Sequence, residues 1–118
     1  MRPSLVFTAA ALLFSSISVA LAADTTLLAE TGGFLAGNAY RCGVPAGRVA
    51  LASRIIRDMI VAAAHDPREE KAAGSRFAET FVASAFPRSD RDTLIPPCKA
   101  VVAQFERLEQ HHQEAGLD

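Results

Sequence analysis

The chain has 118 residues, half of them hydrophobic, with 12 basic and 13 acidic side chains and a formal charge of −1. That length holds one domain, and the near-neutral balance leaves no basic footprint for nucleic acid or an anionic membrane surface. Its two cysteines, Cys42 and Cys98, allow a single intramolecular pairing.

The N-terminus reads as an export signal. Arg2 supplies a positive start, an apolar stretch runs from Leu5 through Phe14, and Ala20-Leu21-Ala22 has the small-x-small pattern read by a signal peptidase. Cleavage is expected after Ala22, with Ala23 as the fallback. The apolar run of about 10 residues falls short of the roughly 20 that span a bilayer, which disfavours a retained anchor. No cysteine follows the cleavage point to carry a lipid, so the expected product is one helical domain, residues 23–118, with no membrane attachment. Arginine far outnumbers lysine and alanine is abundant, as in GC-rich bacterial genomes, so a periplasmic or secreted address is expected.

In such an oxidising compartment Cys42 and Cys98 are expected to form a structural disulfide. The bridge closes a loop of about 57 residues, worth roughly 4 kcal/mol in the chain-entropy account. A redox or metal-binding pair would be marked by Cys-x-x-Cys spacing, which this pair lacks.

Four helical segments follow, with no period-two alternation to suggest a strand. The first is expected from about Thr25 to Cys42. Leu28, Thr31, Leu35, Ala39 and Cys42 recur at spacings of three and four and predict its buried stripe, with Leu27, Phe34 and Asn38 flanking. Gly32, Gly33 and Gly37 each weaken a helix by roughly 1 kcal/mol relative to alanine, so a bend there or a late start of the segment is expected. Gly33-x-x-x-Gly37 has the spacing of a close-packing motif, but that motif draws its force from membrane helices. Gly43 ends the segment.

The second segment opens at Val44-Pro45 and reaches about Ala64. Leu51, Ile55, Ile56, Met59 and Ile60 belong to an apolar face covering about half its circumference, which predicts the central helix. Its polar strip carries Arg54, Arg57, Asp58 and His65. At His65-Asp66-Pro67 the chain breaks: Asp66 caps the third helix, Pro67 occupies its first position and Glu69 completes a capping-box-like pattern. That helix is expected to reach about Phe86, with Phe77, Ala78, Phe81, Val82, Ala85 and Phe86 inward and Gly74 admitting a neighbour. Pro87 stops it, and a loop of about ten residues leads to Pro97. The fourth helix starts near Pro97 and runs to about His112, with Val101, Phe105 and Leu108 in line with Cys98 and a frayed tail over 113–118. The expected fold is all-α: a small four-helix, bundle-like domain stapled by Cys42–Cys98.

Catalytic patterns are missing from this framework. No Gly-x-Ser-x-Gly elbow or glycine-rich phosphate loop occurs. Asp90 and Asp92 fall in a solvated loop, and Asp66 beside His65 is already used as a cap. Glu109 and His112 have the Glu-x-x-His spacing of metal-binding bundles, yet they form one pair where such sites use two. No enzyme activity, cofactor or metal is therefore expected, with Glu109 and His112 the weak metal candidates. Arg48, Arg54 and Arg57 make a local basic edge, softened by Asp58 four residues after Arg54. The 87–97 loop is the most promising surface, because long ordered loops on small scaffolds often carry function. Arg91, Leu94 and Ile95 are its candidate partner-binding residues, unless Leu94 and Ile95 tuck under the helices.

The leading expectation is an exported, non-enzymatic binding or accessory protein with a protein partner in the periplasm. In its export signal, Cys42, Cys98 and mature length, the layout resembles the small periplasmic acid-stress chaperones. That resemblance implies a second possibility, a chaperone that exposes apolar surface when carboxylates and histidines titrate; the acidic load here is modest. A third is a carrier of a small ligand or metal in the bundle core.

Overall fold

The computed structural model describes residues 24–88 and 95–116. Among these residues are four α-helices and no strand: α1, Thr25–Arg41; α2, Ala46–Ala63; α3, Pro67–Ala85; and α4, Cys98–Gly116. The signal-like segment 1–22 lies outside the described residues. No described helix is long and apolar enough to cross a membrane.

Local chemistry sets the helix boundaries. The Asp24 carboxylate accepts the Leu27 N–H at 2.9 Å and starts α1; Asp66 accepts the Glu69 N–H at 2.8 Å and, with Pro67, starts α3. At the end of α1, Gly43 takes φ +91°, the Gly43 N–H reaches the Tyr40 carbonyl, and the Val44 N–H reaches that of Ala39. This paired bonding satisfies the last carbonyls, and its left-handed residue favours glycine. The Glu69 side chain engages the Thr25 hydroxyl across the α1–α3 seam, at 3.0 Å, instead of turning back to Asp66.

Contacts between α1 and α3 climb together: Thr25 meets Glu69, Glu30 meets Arg76, and Tyr40 meets Phe86. The two helices therefore run parallel, with α2 connecting them in the chain. α1 touches all three other helices and packs most extensively on α3, so it is the hub, where the sequence pattern predicted α2.

The buried face of α1 also differs from the expected stripe. Ala29, Gly32, Gly33, Ala36 and Gly37 are buried, while Leu28 and Leu35 are partly buried and Thr31 is exposed. Gly33 and Gly37 face the α3 backbone: a Cβ on Gly33 would lie 2.7 Å from the Phe77 carbonyl oxygen, and one on Gly37 would collide with that of Phe81. A Cβ on Gly32 would come within 2.5 Å of the Ile56 side chain in α2. The glycines lie within one continuous helix, where Gly33 and Gly37 let the α1 backbone approach that of α3.

α2 buries Val49, Ala52, Ile56 and Ile60 and leaves Leu51, Met59 and Val61 exposed, a narrower face than the sequence predicted. α3 buries Ala73, Phe77 and Ala85, while Ala78, Val82 and Phe86 are exposed. Gly74 is not a contact point: a Cβ there meets nothing within 4 Å. α4 adds Val101 and Phe105 to the core and stays helical to Gly116, through most of the stretch read as a tail.

Two attachments hold α4. Cys42 and Cys98 are at disulfide distance, with Cα atoms 5.4 Å apart, within the span a disulfide requires. Arg48 in α2 makes a two-pronged contact with the Glu109 carboxylate, its Nε 3.0 Å from Oε2. The same guanidinium lies 5.7 Å from the centroid of the buried Phe105 ring.

Candidate functional site

Close backbone contact between α1 and α3 has a consequence at the surface. With small residues filling the seam, bulky neighbours on the same helices are turned outward to its edges. Phe34 of α1 is 45 % exposed, and Val82 and Phe86 on the α3 side are 57 % and 62 % exposed. Ile95, on the far side of the 87–97 loop, is 53 % exposed.

All four line one open groove of about 770 Å³, whose other walls include Ala78 and Ala83 of α3 together with Pro87 and Pro96. That volume is in the range of ligand-binding clefts, and the walls are predominantly apolar. Glu79 and Arg88 supply formal charge at the rim. Asn38, also on the wall, is turned to structural use: its Nδ2 donates to the Phe34 carbonyl and its Oδ1 accepts from Arg41 Nε, both at 2.9 Å. Tyr40 packs its ring 5.9 Å from that of Phe86 and 6.2 Å from that of Phe81, steadying the end of α3. The groove therefore offers apolar area and shape, with few groups able to direct chemistry.

Of the predicted partner-binding residues, Ile95 lies on this groove, exposed rather than tucked under the helices. Arg91 and Leu94 lie outside the described residues, as do Asp90 and Asp92. The sequence reading missed Phe34, Val82 and Phe86 as surface residues, since hydrophobic periodicity placed them on or beside buried faces. The Gly33-x-x-x-Gly37 spacing was the available signal, because a glycine ridge in the seam displaces bulky side chains to its margins.

The remaining candidates are separate from the groove. Glu109 is occupied by Arg48, whose guanidinium holds the Glu109 carboxyl below its usual range against a smaller opposing effect of burial. His112 is exposed. Among the described residues no three His, Cys, Asp or Glu side chains gather to hold a metal. His65 Nδ1 sits 3.4 Å from the Glu69 carboxylate with its side chain largely in solvent, and Asp66 is the α3 cap. Of the basic edge, Arg48 is engaged by Glu109, while Arg54 and Arg57 are exposed and Arg54 forms no ion pair with Asp58.

Comparison with protein families, with characterised proteins and with solved structures finds no match to this chain.

Proposed function

We propose that the chain is an exported, non-enzymatic binding protein that takes an apolar segment of a protein partner into the α1–α3 groove. The observation carrying this reading is the grouping of Phe34, Val82, Phe86 and Ile95, all substantially exposed, around a single groove that Pro87, Arg88 and Pro96 also line. Apolar surface gathered in this way on a small chain is a common mark of an interaction site. Export rests on Arg2, the Leu5–Phe14 stretch and Ala20-Leu21-Ala22, and the Cys42–Cys98 pair suits an oxidising compartment.

The test is capture from periplasmic extract with the wild type and with a Phe86→Asp, Ile95→Asp double variant. Both positions are exposed, so the variant should still fold, with the loss of the Tyr40–Phe86 contact read as a lower melting temperature. A partner retained by the wild type and lost by the folded variant supports the reading; equal capture by both removes the groove from it.

A second reading, a chaperone that opens in acid, has its own support. Thr25–Glu69, Arg76–Glu30 and Arg48–Glu109 join different helices, and each passes through a glutamate. Arg48 holds the Glu109 carboxyl below its usual range, so acid that neutralises Glu109 weakens the hold of α2 on α4. Apolar dye binding that rises between pH 7 and pH 3 and reverses on neutralisation supports this role. Dye binding that stays flat over that range ends it.

A further inference from the structure

The two sulfurs of the Cys42–Cys98 bridge sit in unlike surroundings. Cys42 is half-buried, packs against the core and caps the C-terminal end of α1, where the helix dipole disfavours negative charge. Cys98 is exposed and is the first residue of the 19-residue α4, where unpaired N–H groups favour negative charge.

A guanidinium adds to that contrast. Arg41 Nη1 lies 3.5 Å from Cys98 Sγ. It is held there by groups other than the sulfur: Nε donates to Asn38 Oδ1 and Nη2 to the Pro96 carbonyl, each at 2.9 Å. Asn38 is itself buried and anchored to the Phe34 carbonyl, so the guanidinium has a partner on its own helix besides the sulfur. A helix N-terminus and an adjacent guanidinium both favour the thiolate form of a cysteine.

We propose that Cys98 is the reactive sulfur of the pair and Cys42 the resolving one, so that the bridge closes and reopens by thiol–disulfide exchange at Cys98. In closing, the Cys98 thiolate attacks an external disulfide RS–SR, forming Cys98–S–SR and releasing RS⁻. Cys42 then loses its proton to solvent and attacks Cys98 Sγ, forming the Cys42–Cys98 bond and expelling the second RS⁻. The protein dithiol gives up two electrons and the external disulfide takes them. Reopening is the reverse, with an incoming thiolate striking the exposed Cys98 sulfur and displacing Cys42. This role adds to the structural one, since the same bridge still ties α4 to α1.

The test uses the full mature chain, reduced and then exposed to a limiting alkylating agent across pH 6–9, with peptide mass spectrometry reading each cysteine. A thiol ionising near pH 7 instead of near 8.5 gains roughly threefold in rate at neutral pH, after allowing for its weaker nucleophilicity. Cys98 is therefore expected to label at least about threefold faster than Cys42. Arg41→Gln should move the Cys98 profile to higher pH, and Arg41→Lys should restore part of the shift. With oxidised glutathione as the external disulfide, the first adduct should map to Cys98. Equal labelling of the two cysteines, a first adduct on Cys42, or a Cys98 profile unmoved in folded Arg41→Gln overturns the proposal. If Arg41→Gln fails to fold, Cys42→Ser with Arg41 intact decides: a Cys98 midpoint at or above about 8.5 overturns it.

Discussion

A methyl group at position 37 has nowhere to go. Its would-be Cβ collides with the Phe81 carbonyl and comes within 2.8 Å of the Ser84 Cβ, and a backbone carbonyl cannot swing aside as a side chain can. Gly37→Ala should therefore lower stability despite gaining about 1 kcal/mol of helix propensity, because overpacking a close contact costs about 1–3 kcal/mol. Gly74→Ala makes the opposite prediction. Its Cβ enters open space in the middle of α3, so the propensity gain should appear almost undiminished as a higher melting temperature. Thermal unfolding of the two variants side by side checks both signs, and a stabilised Gly37→Ala would remove the close-contact account. At this scale, legibility followed the range of the interaction. The Asp66 cap was readable because its partner, the Glu69 N–H, lies three residues away. The buried face of α1 was not, because the partners of Gly33 and Gly37 lie more than forty residues along the chain.

Among the elements, α4 depends most on specific attachments. It places Val101 and Phe105 in the core, and Arg48 holds its middle from α2 through Glu109. The hydrogen bond from Arg48 lowers the folded pKa of Glu109 from its ordinary 4.5, and burial opposes this only in part. A carboxylate with a depressed folded pKa contributes its full stabilisation above the unfolded value and loses it as pH falls through the folded one. The contribution of Glu109 should therefore be complete near neutrality and fade below about pH 4.5. Both partners are partly solvated, so the effect is small. Glu109→Gln should unfold slightly earlier than the wild type in denaturant at pH 7, with the two midpoints converging toward pH 3. A gap independent of pH would show that the pair contributes through packing alone. α2 teaches the complementary lesson. Its wide apolar arc correctly predicted a helix, but a periodic pattern does not say how many neighbours will cover it, and Leu51 and Met59 remain exposed.

For the whole molecule, the bridge from the end of α1 to the start of α4 is the largest single constraint on the unfolded chain, spanning a sequence separation of 56. Replacing both cysteines by serine should lower stability by about 4 kcal/mol, read as a marked fall in melting temperature. A double variant that melts with the wild type would refute the staple. The sequence by itself determined the helical class, the ends marked by Asp66 and Gly43, and the single possible cysteine pairing, since each depends on near neighbours or simple counting. Only the tertiary structure decided that α1 is the hub, that α1 and α3 run parallel, and that their glycine seam turns Phe34, Val82 and Phe86 outward to line a groove. It also decided that Arg41 stands against Cys98 and not Cys42. The physical reason for the outward-turned side chains is one of size. Hydrophobic periodicity assigns the largest apolar residues to the core, but where two backbones come into contact only small side chains fit between them.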